Sequence, residues 1–194
     1  MKMERKREQK RAAILESAIG TFRADGYIGA SMDDIARKAG VTKQTVYRYF
    51  ESKEALYQAA LEAQRDKSHS RFINELDRED TREALLHFAR GFVGKHLSNE
   101  HLATMRLLMA EGPEAPEMTR AHFALGPRET REHLARFLVE RFGMEDPEYA
   151  IKVLLSTLLS MTTEVLIGRC ASPTQEEMDL HAEKTVGIFM KLLP

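Results

Sequence analysis

The chain of 194 residues is 43% hydrophobic and 30% charged, which excludes a disordered tail, since apolar content on this scale offsets chain entropy by burial. Its single cysteine, Cys170, excludes an intrachain disulfide and a thiolate-rich metal site, and fits a reducing cytoplasm. A net charge of −1 conceals an asymmetry: residues 1–60 carry 12 Lys and Arg against 8 Asp and Glu, and the rest carry 17 against 22.

A basic end on a mildly acidic body suits a polyanion contacted locally. The opening MKMERKREQKR has no apolar run behind it, so no secretory signal is expected. The charge-free run 153–163 is far short of the roughly 20 residues of a membrane span. No membrane association is expected.

Strand signals are scarce, and apolar residues recur at three- and four-residue spacing almost throughout. A first helix is predicted over about 4–24, with Ala13, Ile14, Ala18 and Phe22 inward, stopping near Gly26. Ser31 caps a short second helix over 32–39, Gly40 breaks it, and Thr42 caps a third ending near Phe50. Ser52 caps a long fourth, reaching about 76. Asp80 or Thr81 starts a helix to about 97, and Ser98 another to about 110, followed by the loop Glu111-Gly112-Pro113. The next helical stretch carries Gly126-Pro127, expected to break or kink it before it continues to 142. Asp146-Pro147 and Ser172-Pro173 each place a cap before a proline at the first helical position, opening helices over 147–169 and 173–192. The fold class is all-α.

The informative stretch is 32–50, MDDIARKAGVTKQTVYRYF. Two short helices that cross steeply need a small residue at the crossing, here Ala36, and a turn residue free to take positive φ, here Gly40. Ile35, Ala39, Val41 and Val46 supply the apolar seam. The constellation is that of a helix-turn-helix, whose second helix enters the DNA major groove with its first turn toward base edges. Lys43 can donate to guanine, Gln44 can pair with adenine, and the Thr45 methyl can touch a thymine methyl. Tyr47, Arg48 and Tyr49 lie further along, within reach of bases or phosphates. Ser52-Lys53 gathers free backbone N–H groups and an ammonium at one helix start, a phosphate clamp.

Gly26-Tyr27, Ile35-Ala36, Ala39-Gly40-Val41, Thr42, Tyr47, Phe50, Lys53 and Leu56 together resemble the DNA-binding domain of the tetracycline-repressor (TetR) family, over about 10–57. The resemblance implies a three-helix DNA-binding domain with a helix-turn-helix, residues 1–52, and a helical ligand-binding and dimerisation domain, residues 53–194. It also implies DNA contacts at Thr42, Lys43, Gln44, Thr45, Tyr47, Arg48 and Lys53. Ala30 departs from the family, which often has a phosphate-bonding threonine there, and Ser31 is the neighbouring substitute. The region after Glu111, with Pro116 and Gly126-Pro127-Arg128, resembles the ligand domain of AefR-like members. Family habit implies repression of a palindromic operator, relieved when a small effector favours a dimer whose reading heads are wrongly spaced. Arg5, Lys6, Arg7, Lys10 and Arg11 read either as an arm on phosphates or as the solvated start of the first helix.

The last two helices carry more apolar surface than one face needs, including Met178, Ala182, Val186, Ile188, Phe189 and Leu192. An isologous homodimer through a four-helix bundle is expected. Candidate ligand contacts are His87, Phe88, Phe92, Met105, Met109, His122, Phe123, Leu125 and Met161. Ten methionines without tryptophan suit an adaptable pocket for an apolar or aromatic effector. Catalysis is not expected: there is no His-Glu-x-x-His, no phosphate-cradling Gly-rich loop and no helical Glu-x-x-His pair set, and His96 and His101 are five apart and poorly placed to chelate. No cofactor or metal is called for. The rival reading is a helical protein–protein interaction module, which leaves Lys43, Gln44, Thr45 and Lys53 without a task.

Overall fold

The computed structural model describes residues 2–68 and 70–194, with side chains for all but 2, 64–68, 70–71 and 125–126, so the Leu125 side chain lies outside the described residues. Among the described residues the regular structure is helical throughout. The helices are α1 (Lys2–Gly29), α2 (Met32–Lys38), α3 (Lys43–Tyr49), α4 (Lys53–Ser68) and α5 (Ser70–Asn74), then a 3-10 turn at Glu75–Asp77. They continue as α6 (Thr81–His96), α7 (Asn99–Glu111), α8 (Pro116–Phe142), α9 (Glu148–Leu158), α10 (Ser160–Leu166) and α11 (Gln175–Leu192). Two compact units result. The first is Met1–Lys67 with Arg106–Gly126, and the second is Ser68–Met105 with Pro127–Pro194.

In the first unit α1 turns Ile14, Leu15, Ala18 and Phe22 inward at a helical period, and all four are buried. Ala13 is half-buried beside them. Phe22, Tyr27 and Tyr57 form an aromatic trio with ring centroids 5.1–5.8 Å apart. The long helix breaks near Gly26 as expected: that residue takes a non-helical conformation, φ +75 and ψ 176, and only a short helical turn follows it to Gly29.

The second unit is built on one core. Phe72, Phe88 and Phe92 stack and cross at 5.6–5.9 Å, and Leu134, Phe137 and Leu138 of α8 close in with Ile151, Leu154, Val186 and Phe189. Arg141, in the last turn of α8, donates to the carbonyls of Arg78 and Glu79, at 2.8 and 2.7 Å, and holds the loop before α6.

Four predicted helices differ in their bounds. The predicted fourth helix is divided into α4, α5 and the 3-10 turn. α8 is a single helix across Pro127, although proline has no N–H for the carbonyl of Phe123. The predicted 147–169 helix is two, α9 and α10, bent by 42°. Near that bend the carbonyls of Thr157 and Leu158 accept the ring N–H of His181 on α11 at 3.1 and 3.3 Å. α11 starts two residues later than predicted, because Thr174 and not Ser172 is its cap. Thr174 accepts from the Glu177 N–H and Glu177 reaches back to the Thr174 N–H, a complete capping box. Among the described residues no single helix is long and apolar enough to cross a membrane.

Candidate nucleic-acid interface

The geometry of α2 and α3 follows from local chemistry. Ser31 accepts from the Asp34 N–H at 3.1 Å and donates to the Asp34 carboxylate at 2.8 Å, so α2 starts at Met32. Bonds from Arg37 and from Ser31 hold the Asp34 carboxyl below its usual range. At the other end Gly40 takes φ +66. Its N–H bonds to the Arg37 carbonyl at 3.2 Å and the Val41 N–H to the Ala36 carbonyl at 3.0 Å, the paired bonds of a Schellman stop. A side chain at position 40 would be strained by that φ, which is why the turn needs glycine.

Thr42 then caps α3, accepting from the Thr45 N–H at 3.2 Å, with the two hydroxyls 2.9 Å apart. Ile35, Ala36 and Val46 are buried in the seam, and Ala39 and Val41 are half-buried. Val46 is the one buried residue of α3. Thr42, Lys43, Gln44, Tyr47 and Arg48 are exposed, and Thr45 and Tyr49 are half-buried. The rest of the α3 surface carries hydroxyl, amide, ammonium, guanidinium and phenol groups side by side.

Several of the sequence-derived residues have partners within the protein. Lys43 Nζ lies 2.7 Å from the Asp33 carboxylate, a bond that raises its proton affinity, yet the pair is exposed on both sides. The Tyr49 hydroxyl donates to the Arg7 carbonyl at 3.3 Å, and the Arg11 guanidinium lies over the Phe50 ring. These contacts fasten the exposed first turns of α1 to the end of α3, so the basic leader is helix. Lys53 Nζ donates to the carbonyls of Tyr27, Ile28 and Ala30, at 2.8, 3.3 and 3.2 Å, and lies 4.7 Å from the Tyr27 ring centre. Sequence reasoning missed this: Lys53 caps the carbonyl end of α1 and so fixes where α2 begins. Ser52 accepts from the Ala55 N–H at 3.0 Å and starts α4 as predicted.

The ligand candidates are scattered. Phe88 and Phe92 are buried in the core of the second unit, and Met161 packs against that core. Met105 is half-buried and His87 pairs with Glu83 at 3.5 Å. Met109 and Phe123 are exposed, with the His122 ring edge-on to Phe123. Of these only Met109 lines the open groove of about 450 Å³ at the α7–α8 corner, with Leu108, Pro113, Pro116, Thr119 and Arg120. The His96 and His101 rings meet edge to face at 4.5 Å, closer than their spacing implied, because residue 101 lies past the turn on α7. Among the described residues no three metal-binding side chains gather.

Residues 14–60 match the family described as bacterial regulatory proteins, tetR family, and residues 83–192 match the AefR-like transcriptional repressor C-terminal domain. The transcriptional regulator MftR of Mycobacterium tuberculosis is 30% identical over 155 residues, 76% of this chain and 73% of that protein. RutR of Escherichia coli is 48% identical over 52 residues, 27% of this chain and 24% of that protein. The solved structure of the flavonoid-responsive regulator FrrA superposes with a TM-score of 0.78 at 27% identity, covering 96% of this chain and 98% of that one. A helix-turn-helix head of this geometry, followed by a matching helical body, places the chain in the TetR family of DNA-binding transcriptional regulators, which are not enzymes.

Proposed function

We propose that the chain is a ligand-responsive repressor that binds a palindromic operator as a homodimer and leaves it when a small apolar or aromatic effector binds. The observation that carries the DNA half of this reading is the display on α3, where one residue is buried and its neighbours present base-reading chemistry. Thr42, Lys43, Gln44 and Thr45 face base edges in this reading, while Tyr47, Arg48 and Tyr49 reach bases or phosphates. Ser31 and Lys53 act mainly by fixing α2 and the end of α1, given the bonds each makes there. Support for repression and for an aromatic effector comes from the AefR-like repressor match and from FrrA, a flavonoid-responsive protein. The effector contacts proposed are His87, Phe88, Phe92, Met105, Met109, His122, Phe123 and Met161, with those now in the core reached only if it opens.

The test is fluorescence anisotropy on the DNA upstream of the gene, across a salt series, for the wild type and a Lys43→Ala, Tyr47→Ala double variant. Two lost base-edge or phosphate contacts should weaken selective binding about 100-fold. Weak binding that salt erases equally for both proteins would sink the reading head as proposed.

A further inference from the structure

The α7–α8 corner belongs to the same compact unit as α1–α3, and it holds the end of α1 with two carboxylates. Glu111, the last residue of α7, accepts a hydrogen bond from the Ile28 backbone N–H at 2.8 Å. That N–H lies just past the bend at Gly26, where an added Cβ would stand 2.9 Å from Glu111 Cδ, with a carboxylate oxygen closer still. Glycine is favoured there by its positive φ, and a side chain at position 26 would also push the Glu111 carboxylate aside. Glu117, in the first turn of α8, accepts from the Tyr27 hydroxyl. The neighbouring Tyr57 hydroxyl is buried and has no hydrogen-bond partner.

Lys53 holds the same segment from its carbonyl side: its ammonium bonds the carbonyls of Tyr27, Ile28 and Ala30. Two residues further on, Ser31 caps α2, and α2 carries α3 through the Schellman turn. Any shift of the α1 end thus moves the reading helix. α7 starts at Asn99 and α8 ends at Phe142, so the helices that carry Glu111 and Glu117 also include residues of the second unit.

We infer that Glu111 is the positioning residue that couples the α7–α8 corner to the DNA-reading head, its bond to Ile28 anchoring the segment between the Gly26 break and α2. The inference rests on the two-half-site operator proposed above. It assigns Glu111 no contact with DNA or effector, so its loss alters the placement of the head and leaves the reading of bases intact.

The test uses the full chain. Selection from random DNA supplies the operator, and affinities are measured at fixed salt on a duplex with two half-sites and on one with a single half-site. Glu111→Ala should weaken two-half-site binding about 10-fold or more, within the usual range of coupling energies, and change single-half-site binding by less than about 2-fold. Glu111→Gln keeps an acceptor oxygen for Ile28 and should behave as the wild type. Amide exchange at Ile28, measured without DNA, should quicken in Glu111→Ala and not in Glu111→Gln. Glu111→Asp, which keeps the charge and retracts it by one methylene, gives the same contrast should the alanine variant not fold. Equal loss on both duplexes, or faster exchange with unchanged two-half-site affinity, would overturn the coupling. If the wild type enriched no sequence, the DNA reading itself would fail first, visibly and without any variant.

Discussion

Tyr27 and Tyr57 are the residues of the first unit whose titration is most displaced. Burial, and then the charge and hydrogen bond of Glu117, push the Tyr27 phenol up to about 12. Burial, and then the charge of Glu111, do the same to Tyr57, also to about 12. An unfolded tyrosine loses its proton near pH 10. Between about 10 and about 12 the folded chain therefore holds more protons than the unfolded one, and stability falls as pH rises through that window. Below about pH 10 these two groups add no pH dependence. Tyrosinate absorbance and unfolding midpoints from pH 9 to 12 should show two of the five tyrosines ionising only as the chain unfolds. Tyr57→Phe should remove part of that slope. Because it deletes an unpaired buried hydroxyl, it should leave stability at neutral pH equal or higher by up to about 1 kcal/mol. Five tyrosines ionising together near pH 10 in a folded chain would contradict the argument.

At the scale of the element, the reading head was legible because its contacts are local. Ser31, Gly40 and Thr42 act on backbone groups three or four residues away, and the seam lies inside one window of sequence, so type and spacing carry the geometry. The partners of the site were not legible. Glu111 and Ile28 are 83 residues apart, and Lys53 reaches back 23–26 residues to its carbonyls, distances at which no pattern points from one residue to the other. The start of α11 was misread although its signal was present: Thr174-x-x-Glu177 is a capping box, and Ser172-Pro173 drew the boundary two residues early. The Glu177 carboxyl is held below its usual range by the Thr174 N–H and hydroxyl, so the box is formed at neutral pH and loosens as acid protonates it. Thr174→Ala should cost about 1 kcal/mol of stability in thermal or denaturant unfolding. It should leave the monomer's helical content in far-ultraviolet circular dichroism almost unchanged. A variant as stable as the wild type would show that the first turn of α11 adds nothing to the fold.

For the whole molecule, what remains is the apolar surface that the core of the second unit does not use. α11 buries Ala182, Thr185, Val186 and Phe189, yet Leu180, Ile188 and Leu192 on another side of the same helix are 49%, 63% and 70% exposed. The sequence expectation that the last helices carry more than one face of apolar residues therefore stands as geometry, whereas the dimer it implies remains our proposal. A two-fold axis beside α11 would present each of these side chains twice and bury them against their own copies. Ile188→Glu places two carboxylates in that contact without touching the core face. Sedimentation should then show a monomer at concentrations where the wild type is dimeric, with a cooperative unfolding transition retained. Binding to a two-half-site operator should fall about 100-fold or more, since each head must then bind without the effective concentration its twin supplies, while single-half-site binding is kept. A variant that remains dimeric would move the interface to another face of the second unit, where Tyr149 and Ile167, 75% and 68% exposed, offer the alternative apolar surface.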